Sequence, residues 1–93
     1  MVLITYHTKD GMRDEFLKVV REMEFVEKTV LEHGCMRFEM FIPVKDDGNT
    51  VFLLENWLDD DSITKHKQSD HYIKYTEIKD KYLESTDVVR YRL

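Results

Sequence analysis

The 93-residue sequence has few of the residues that mark several protein classes. Its only cysteine is Cys35, so no disulfide can form within the chain, and we expect a reducing, cytoplasmic environment. The three glycines form neither a G-x-G-x-x-G turn nor a phosphate loop, which excludes nucleotide or flavin binding through a Rossmann turn. No apolar run approaches the ~20 residues that cross a bilayer. The N-terminus lacks the features of a signal peptide, so we expect no membrane association.

Composition and charge narrow the class further. With 42% hydrophobic and 35% charged residues, the composition is typical of a compact folded domain, and we expect residues 1–93 to form one domain. The net charge of −5 argues against nucleic acid as a partner, because binding to a phosphate backbone depends on clustered lysine and arginine.

The first half of the chain predicts a strand, a helix and a hairpin. Val2–Thr8 is rich in β-branched and aromatic residues and predicts a strand. A single amphipathic helix of about six turns then follows, with apolar residues spaced mostly by three and four: Met12, Phe16, Val19, Val20, Met23, Val26 and Val30. In "CMRFEMFIPV" apolar residues recur at every second position, as in a strand, with Met36, Phe38, Met40 and Ile42 on one face. The turn "KDDGNT" and the strand "VFLLENWL" complete an antiparallel hairpin.

The second half predicts two short helical segments and a final strand. Asp59, Asp60 and Asp61 favour a helix start, and this helix is expected to run through about Lys67. Ser69 or Asp70 can cap a second helix, whose face carries a stripe with spacings of four, three and four: His71, Tyr75, Ile78 and Tyr82. The alternation in "DVVRYRL" predicts a half-buried strand.

The order β-α-β-β-α-β predicts an α+β, ferredoxin-like fold, a four-stranded antiparallel sheet with the helices on one face. Both faces of the third strand are apolar. One face carries Val51, Leu53 and Trp57, and the other carries Phe52, Leu54 and Leu58. Because helices cover one face only, a second copy of the chain is expected to cover the other. We therefore predict a homodimer whose two sheets pack together.

The candidate site lies between the third strand and the helices after it. Glu55-x-Trp57 places a carboxylate and an indole on one strand face, and His66-x-x-Ser69-x-His71 follows. A core tryptophan beside a carboxylate held by a nearby donor would explain the first pair as well. Two histidines beside this pair raise the expectation of a pocket, and tyrosines such as Tyr6 and Tyr75 suit a flat aromatic ligand.

The histidine spacing does not predict a metal site. His66 and His71 are five residues apart across an expected helix break, whereas two imidazoles on one helical face are four apart. Glu55 would complete a set of two histidines and one carboxylate, but nothing in the spacing requires it. We expect no metal and no other cofactor.

Together these features resemble the antibiotic biosynthesis monooxygenase family of dimeric α+β barrels. The resemblance rests on the element order, on Glu55-x-Trp57 and on His66-x-x-Ser69-x-His71, and it extends from Phe16-Leu17 in the first helix to Asp87-Val88-Val89-Arg90 in the last strand. It implies a homodimer with one pocket per subunit, between the sheet and its own helices.

The resemblance also implies roles for individual residues. Trp57, Tyr75 and Tyr6 would bind substrate, with Trp57 in the pocket wall. His66 and His71, near the mouth of the pocket, would be catalytic together with Glu55, which would orient one histidine through a hydrogen bond. Haem-degrading relatives use an asparagine on the first strand, and Val2–Thr8 contains none. We therefore rank haem degradation below the other activities of the family.

The activity implied is oxidation of a quinol or polycyclic phenol by O2 without a cofactor. Deprotonating an electron-rich phenol yields an anion that can itself reduce O2, and a histidine suits the role of base. Two alternatives stay open: an isomerase acting on a small signalling metabolite, and a ligand-binding dimer without catalysis. For Arg90 and Arg92 two alternatives also stay open: one of them stabilises a developing oxyanion or binds a phosphate, or strand alternation directs both toward solvent or the dimer interface.

Overall fold

The computed structural model describes residues 1–92. It contains four strands and four helices, in the order β1 (Val2–Thr8), α1 (Arg13–Glu22), α2 (Phe25–Val30), β2 (Cys35–Phe41), β3 (Thr50–Trp57), α3 (Asp60–Lys67), α4 (Asp70–Tyr82) and β4 (Leu83–Arg90). No helix within residues 1–92 is both long and apolar enough to cross a membrane.

The four strands form one antiparallel sheet in the order β2-β3-β1-β4. The helices pack on one face of this sheet, so the predicted ferredoxin-like α+β fold is confirmed. The register pairs Val2 with Glu55 and with Arg90, so the start of β1 lies between the ends of β3 and β4, at one end of the sheet. The candidate site lies at this end of the sheet, on the face that the helices cover.

The predicted single helix from Met12 to Val30 is wrong, because the chain breaks between α1 and α2. Glu24 adopts a left-handed conformation, with φ of 56°, which a helix interior does not tolerate. The break rotates the second segment, so that Phe25 and Thr29 are buried there while Val30 is exposed. The apolar spacing alone favoured Val26 and Val30 as the buried positions.

Aromatic rings form the centre of the core. Phe25 is stacked on Tyr75, with ring centroids 3.8 Å apart, and Phe38 meets Phe25 edge to face at 5.5 Å. Phe16 and Tyr6 extend the cluster toward the other end of the sheet. Each fully buried ring contributes about 1.5–3 kcal/mol of transfer free energy. The cluster thereby fixes α2 and α4 against β2.

The junction of α3 and α4 is fixed by capping side chains. Asp59 accepts a hydrogen bond from the Ser62 amide at 2.8 Å, and Ser69 accepts one from the Tyr72 amide at 3.2 Å, as predicted for helix starts here. Gly34 lies directly against α3, and a Cβ at this position would be 2.0 Å from Ser62 Oγ. Only glycine permits this close approach.

The sheet face opposite the helices is open in the single chain. Alternation places Leu54, Phe52, Phe41 and Val89 on it, and Phe41 and Val89 are 44% and 47% exposed. The closing strand predicted to be half-buried is therefore exposed along most of its length.

Two strands also differ from the predictions, β4 in where it ends and β2 in which residues share its buried face. β4 ends at Arg90, before the end of the predicted segment, and Leu93 lies outside the described residues. Met36 does not share the buried face of β2, because the strand register is irregular between Cys35 and Arg37 and leaves Met36 exposed.

Candidate functional site

A cavity of about 140 Å³, partly open to solvent, lies between the sheet and the helices. Five of the residues predicted from the sequence line it: Tyr6, Glu55, Trp57, His66 and Tyr75. Its walls are completed mainly by apolar and aromatic side chains, among them Ile4, Phe25, Phe38, Leu53, Ile63 and Tyr72. An apolar cavity with a few convergent polar groups is the usual form of a small-molecule site.

His66 is the buried imidazole of this cavity. Its side chain is 3% exposed, and its ring lies 4.8 Å from the Trp57 ring and 5.0 Å from the Tyr72 ring, centroid to centroid. Nδ1 is 2.6 Å from Glu32 Oε2. Because an ionised carboxylate can only accept, we assign the proton to Nδ1, which leaves a lone pair on Nε2. His66 lines the cavity and Glu32 does not, so the imidazole borders the cavity while its Nδ1 is bound to a carboxylate outside it.

Glu32 joins the two histidines. The same oxygen that accepts from His66 is 2.8 Å from His71 Nε2, and Ser69 Oγ lies 3.3 Å from that nitrogen. Ser69 also donates to the His66 carbonyl at 2.7 Å. His71 does not line the cavity but lies behind His66, on the far side of the carboxylate. The expected position of His71 at the pocket mouth is therefore wrong.

The expected hydrogen bond from Glu55 to a histidine is also absent among residues 1–92. Glu55 instead accepts from Trp57 Nε1 at 2.9 Å, since the two side chains are neighbours on one strand face. Glu32, the actual partner of the histidines, was not predicted from the sequence. No motif marks it, and the only available signal was topological: the turn before β2 lies next to the α3–α4 junction.

The Tyr75 hydroxyl is a buried polar group beside the phenol of Tyr6, which contributes to raising the pKa of Tyr75. Within the described part of the chain this hydroxyl makes no hydrogen bond of normal length, although its side chain is almost fully buried and lines the cavity. Burial raises the pKas of Tyr75 and of Tyr6, so both phenols are neutral donors at physiological pH. A buried hydroxyl left unpaired costs about 1–3 kcal/mol. A ligand oxygen in the cavity would satisfy it.

Three cations also border the cavity, in a protein whose net charge is −5. They are Lys67, Lys79 and Arg90. Among the residues that line the cavity, Glu55 alone is acidic. Lys79 Nζ lies 5.1 Å from the centre of the Tyr75 ring, and burial lowers the pKa of this lysine. The cavity thus combines aromatic walls with an excess of positive charge. Arg92, the other candidate, is exposed and outside it.

The two histidines and Glu32 also form a compact set of potential metal ligands. One ligand atom from each of Glu32, His66 and His71 lies within 4.8 Å of the other two. The sequence had suggested Glu55 as the carboxylate of such a set, whereas the fold supplies Glu32.

Comparison with known proteins assigns the family. The model of the family described as "Antibiotic biosynthesis monooxygenase" matches residues 1–77. The chain belongs to this family. Membership indicates a small-molecule monooxygenase-like function, and the match includes the motif from Glu55 to His71. A comparison with functionally curated proteins gave no match.

Solved structures of similar proteins share the fold. The PA3566 protein of Pseudomonas aeruginosa is 19% identical, with a TM-score of 0.86 over 99% of this chain and 91% of its own. A candidate antibiotic biosynthesis monooxygenase from Nitrosomonas europaea is 20% identical, with a TM-score of 0.81 over 95% and 90%. A crystal structure described as an antibiotic biosynthesis monooxygenase is 28% identical, with a TM-score of 0.77 over 95% and 90%.

Proposed function

We propose that this family member is a cofactor-independent monooxygenase that oxidises a quinol or polycyclic phenol with O2. The observation that carries the proposal is the hydrogen bond between His66 Nδ1 and Glu32, which leaves Nε2 free to act as a base at the cavity. A carboxylate that fixes the tautomer of a catalytic histidine is a recurrent arrangement in enzymes.

The reaction begins with proton transfer from the substrate hydroxyl to His66 Nε2. The Tyr75 hydroxyl donates a hydrogen bond to the developing phenolate, which pairs the group that is unpartnered in the empty cavity. Trp57 and Tyr72 hold the flat ring. Glu55 keeps the indole in position through Trp57 Nε1 and is therefore a positioning residue. These roles suit an electron-rich aromatic anion.

The phenolate then transfers one electron to O2, giving a phenoxyl radical and superoxide. The two combine at a ring carbon that carries hydrogen, forming a C–O bond, and protonated His66 returns its proton to the peroxide. Loss of the ring proton and cleavage of the O–O bond give a carbonyl and water. The substrate loses two hydrogens and gains one oxygen, while the second oxygen leaves as water. The electrons come from the substrate, so the step requires no added reductant.

Oxygen uptake by metal-stripped protein tests this proposal. We expect turnover with a panel of reduced quinols and polycyclic phenols, lost on the order of 10²-fold or more in His66→Gln because general-base catalysis contributes that much. His33→Gln is the matched control, since His33 is exposed and lies outside the cavity. Equal uptake by wild type and His66→Gln would contradict the assignment of the base.

A second candidate function is supported by the cations of the cavity. Lys67, Lys79 and Arg90 favour an anionic small molecule, which an isomerase of a signalling metabolite or a non-catalytic ligand-binding dimer would also require. A ligand that raises the melting temperature without oxygen uptake or chemical conversion would favour the binding module.

We also propose that the protein is a homodimer formed through the open sheet face. The exposed apolar side chains of Phe41 and Val89, next to Phe52 and Leu54, support this arrangement. Leu54→Glu, at the centre of this face, is expected to give a monomer in analytical ultracentrifugation, and an unchanged sedimentation coefficient would contradict the interface.

A further inference from the structure

We infer that Glu32, His66 and His71 form a binding site for one divalent transition-metal ion, with Zn²⁺ as the expected occupant. The three residues come from three separate segments, the turn after α2, helix α3 and the start of α4, yet their ligand atoms converge within 4.8 Å. Their side chains are only 17%, 3% and 15% exposed. The site is thus built by the fold and is not an accidental meeting of mobile surface groups.

The donor set suits zinc in type and number. Two imidazole nitrogens and one carboxylate oxygen, with a fourth position left to water, are a common set for this ion. Within the described residues, the second imidazole is not required by the proposed base, because His71 lies outside the cavity and its hydrogen-bond partners are Glu32 and Ser69. A metal site explains why both imidazoles converge on a single carboxylate oxygen.

Metal binding requires a local rearrangement of the three side chains. The ligand atoms are now hydrogen-bonded, with Glu32 Oε2 at 2.6 Å from His66 Nδ1 and 2.8 Å from His71 Nε2. Around a tetrahedral zinc ion with bonds of about 2.0–2.1 Å, neighbouring ligand atoms are roughly 3.3 Å apart. The carboxylate must therefore retreat by roughly 0.5–0.7 Å from the imidazoles, and the two imidazole nitrogens, which lie within 4.8 Å of each other, must reach the same spacing. Each ring also moves its proton to its other nitrogen.

That proton shift links the metal site to the cavity, a step that rests on the proposed function. When the metal occupies Nδ1 of His66, the proton of the neutral ring must be on Nε2. Nε2 then donates a hydrogen bond into the cavity and can no longer accept a proton. Zinc is therefore expected to silence the base, and chelation to restore it.

Equilibrium dialysis of tag-free, chelator-treated protein against Zn²⁺ tests the site without any assay of turnover. We expect one ion per chain, and visible absorption bands of tetrahedral geometry when Co²⁺ is used instead. Glu32→Gln and His71→Ala should each weaken zinc binding by about 100-fold or more, since loss of an outer-shell partner alone costs roughly 10–100-fold. Glu84→Gln, at an exposed position of β4, should bind as wild type does. Circular dichroism establishes that each variant is folded.

The outcomes separate this inference from the proposed function. Less than one ion per chain in wild type, or binding retained in both folded variants, would overturn the metal site whatever the enzyme does. If His71→Ala does not fold, wild-type stoichiometry and Glu32→Gln decide the question. Stoichiometric zinc binding by a protein that shows no oxygen uptake even after chelator treatment would support the site and reject the monooxygenase. Turnover that zinc leaves unchanged would overturn the silencing step.

Discussion

Replacing Glu32 by glutamine should destabilise the protein, because Glu32 holds two helices through the histidines. Its Oε2 accepts from His66 at 2.6 Å and from His71 at 2.8 Å, and the carboxylate is largely buried. Hydrogen bonds to a charged group contribute about 1.5–3 kcal/mol, against about 0.5–1.5 for neutral pairs. Two such bonds lose about 2–3 kcal/mol in Glu32→Gln.

Urea unfolding monitored by Trp57 fluorescence measures this loss as a change in the free energy of unfolding. In a domain of this size, about 2–3 kcal/mol corresponds to a melting temperature roughly 10–20 °C lower. Glu84→Gln is the matched control, since Glu84 is exposed on β4 and carries the same chemical change. A Glu32→Gln variant as stable as Glu84→Gln would refute the view that this carboxylate fixes the α3–α4 junction.

Three further predictions concern the surroundings of the site. Gly34→Ala should cost more than about 2 kcal/mol, because it adds left-handed strain and a Cβ 2.0 Å from Ser62 Oγ. Gly11→Ala, with a similar φ but open space, should cost only about 1 kcal/mol in the same unfolding assay, and equal losses would contradict the close approach. Tyr75→Phe removes an unpaired hydroxyl and should leave the melting temperature unchanged or higher while weakening ligand binding; a clear drop in stability would show that the hydroxyl is already paired. Burial raises the pKa of the Cys35 thiol, so iodoacetamide should alkylate it more slowly than glutathione at pH 8 and faster as the pH rises. Alkylation as fast as that of glutathione would show that this thiol is not shielded.

The fold could be predicted because its signals are local and periodic. The alternation of apolar and polar residues in β2 and the helix starts at Asp59 and Ser69 each depend on neighbouring residues alone. The break at Glu24 could not be predicted in this way, since a single left-handed residue leaves the apolar spacing almost unchanged. Packing of Phe25 against Tyr75 decides it, and that contact spans about half the chain.

The residues of the candidate site also include some that the sequence predicts and one that it does not. The cavity residues Trp57, His66 and Tyr75 follow from the strand face, the helix stripe and the family motif. The partner of His66 does not, because Glu32 is 34 residues away in sequence and belongs to a turn without a motif. A contact between two distant segments is set by how the helices pack on the sheet, which no spacing within either segment encodes.

Isotope labelling tests the proposed cofactor-free chemistry of His66 most directly. Chelator-treated wild-type protein, supplied with ¹⁸O₂ and the best quinol of the panel, should place one labelled oxygen atom in the product and release the other as water. His66→Gln should form no labelled product above the uncatalysed background. Label incorporation that requires an added metal, or that persists in His66→Gln, would contradict the account.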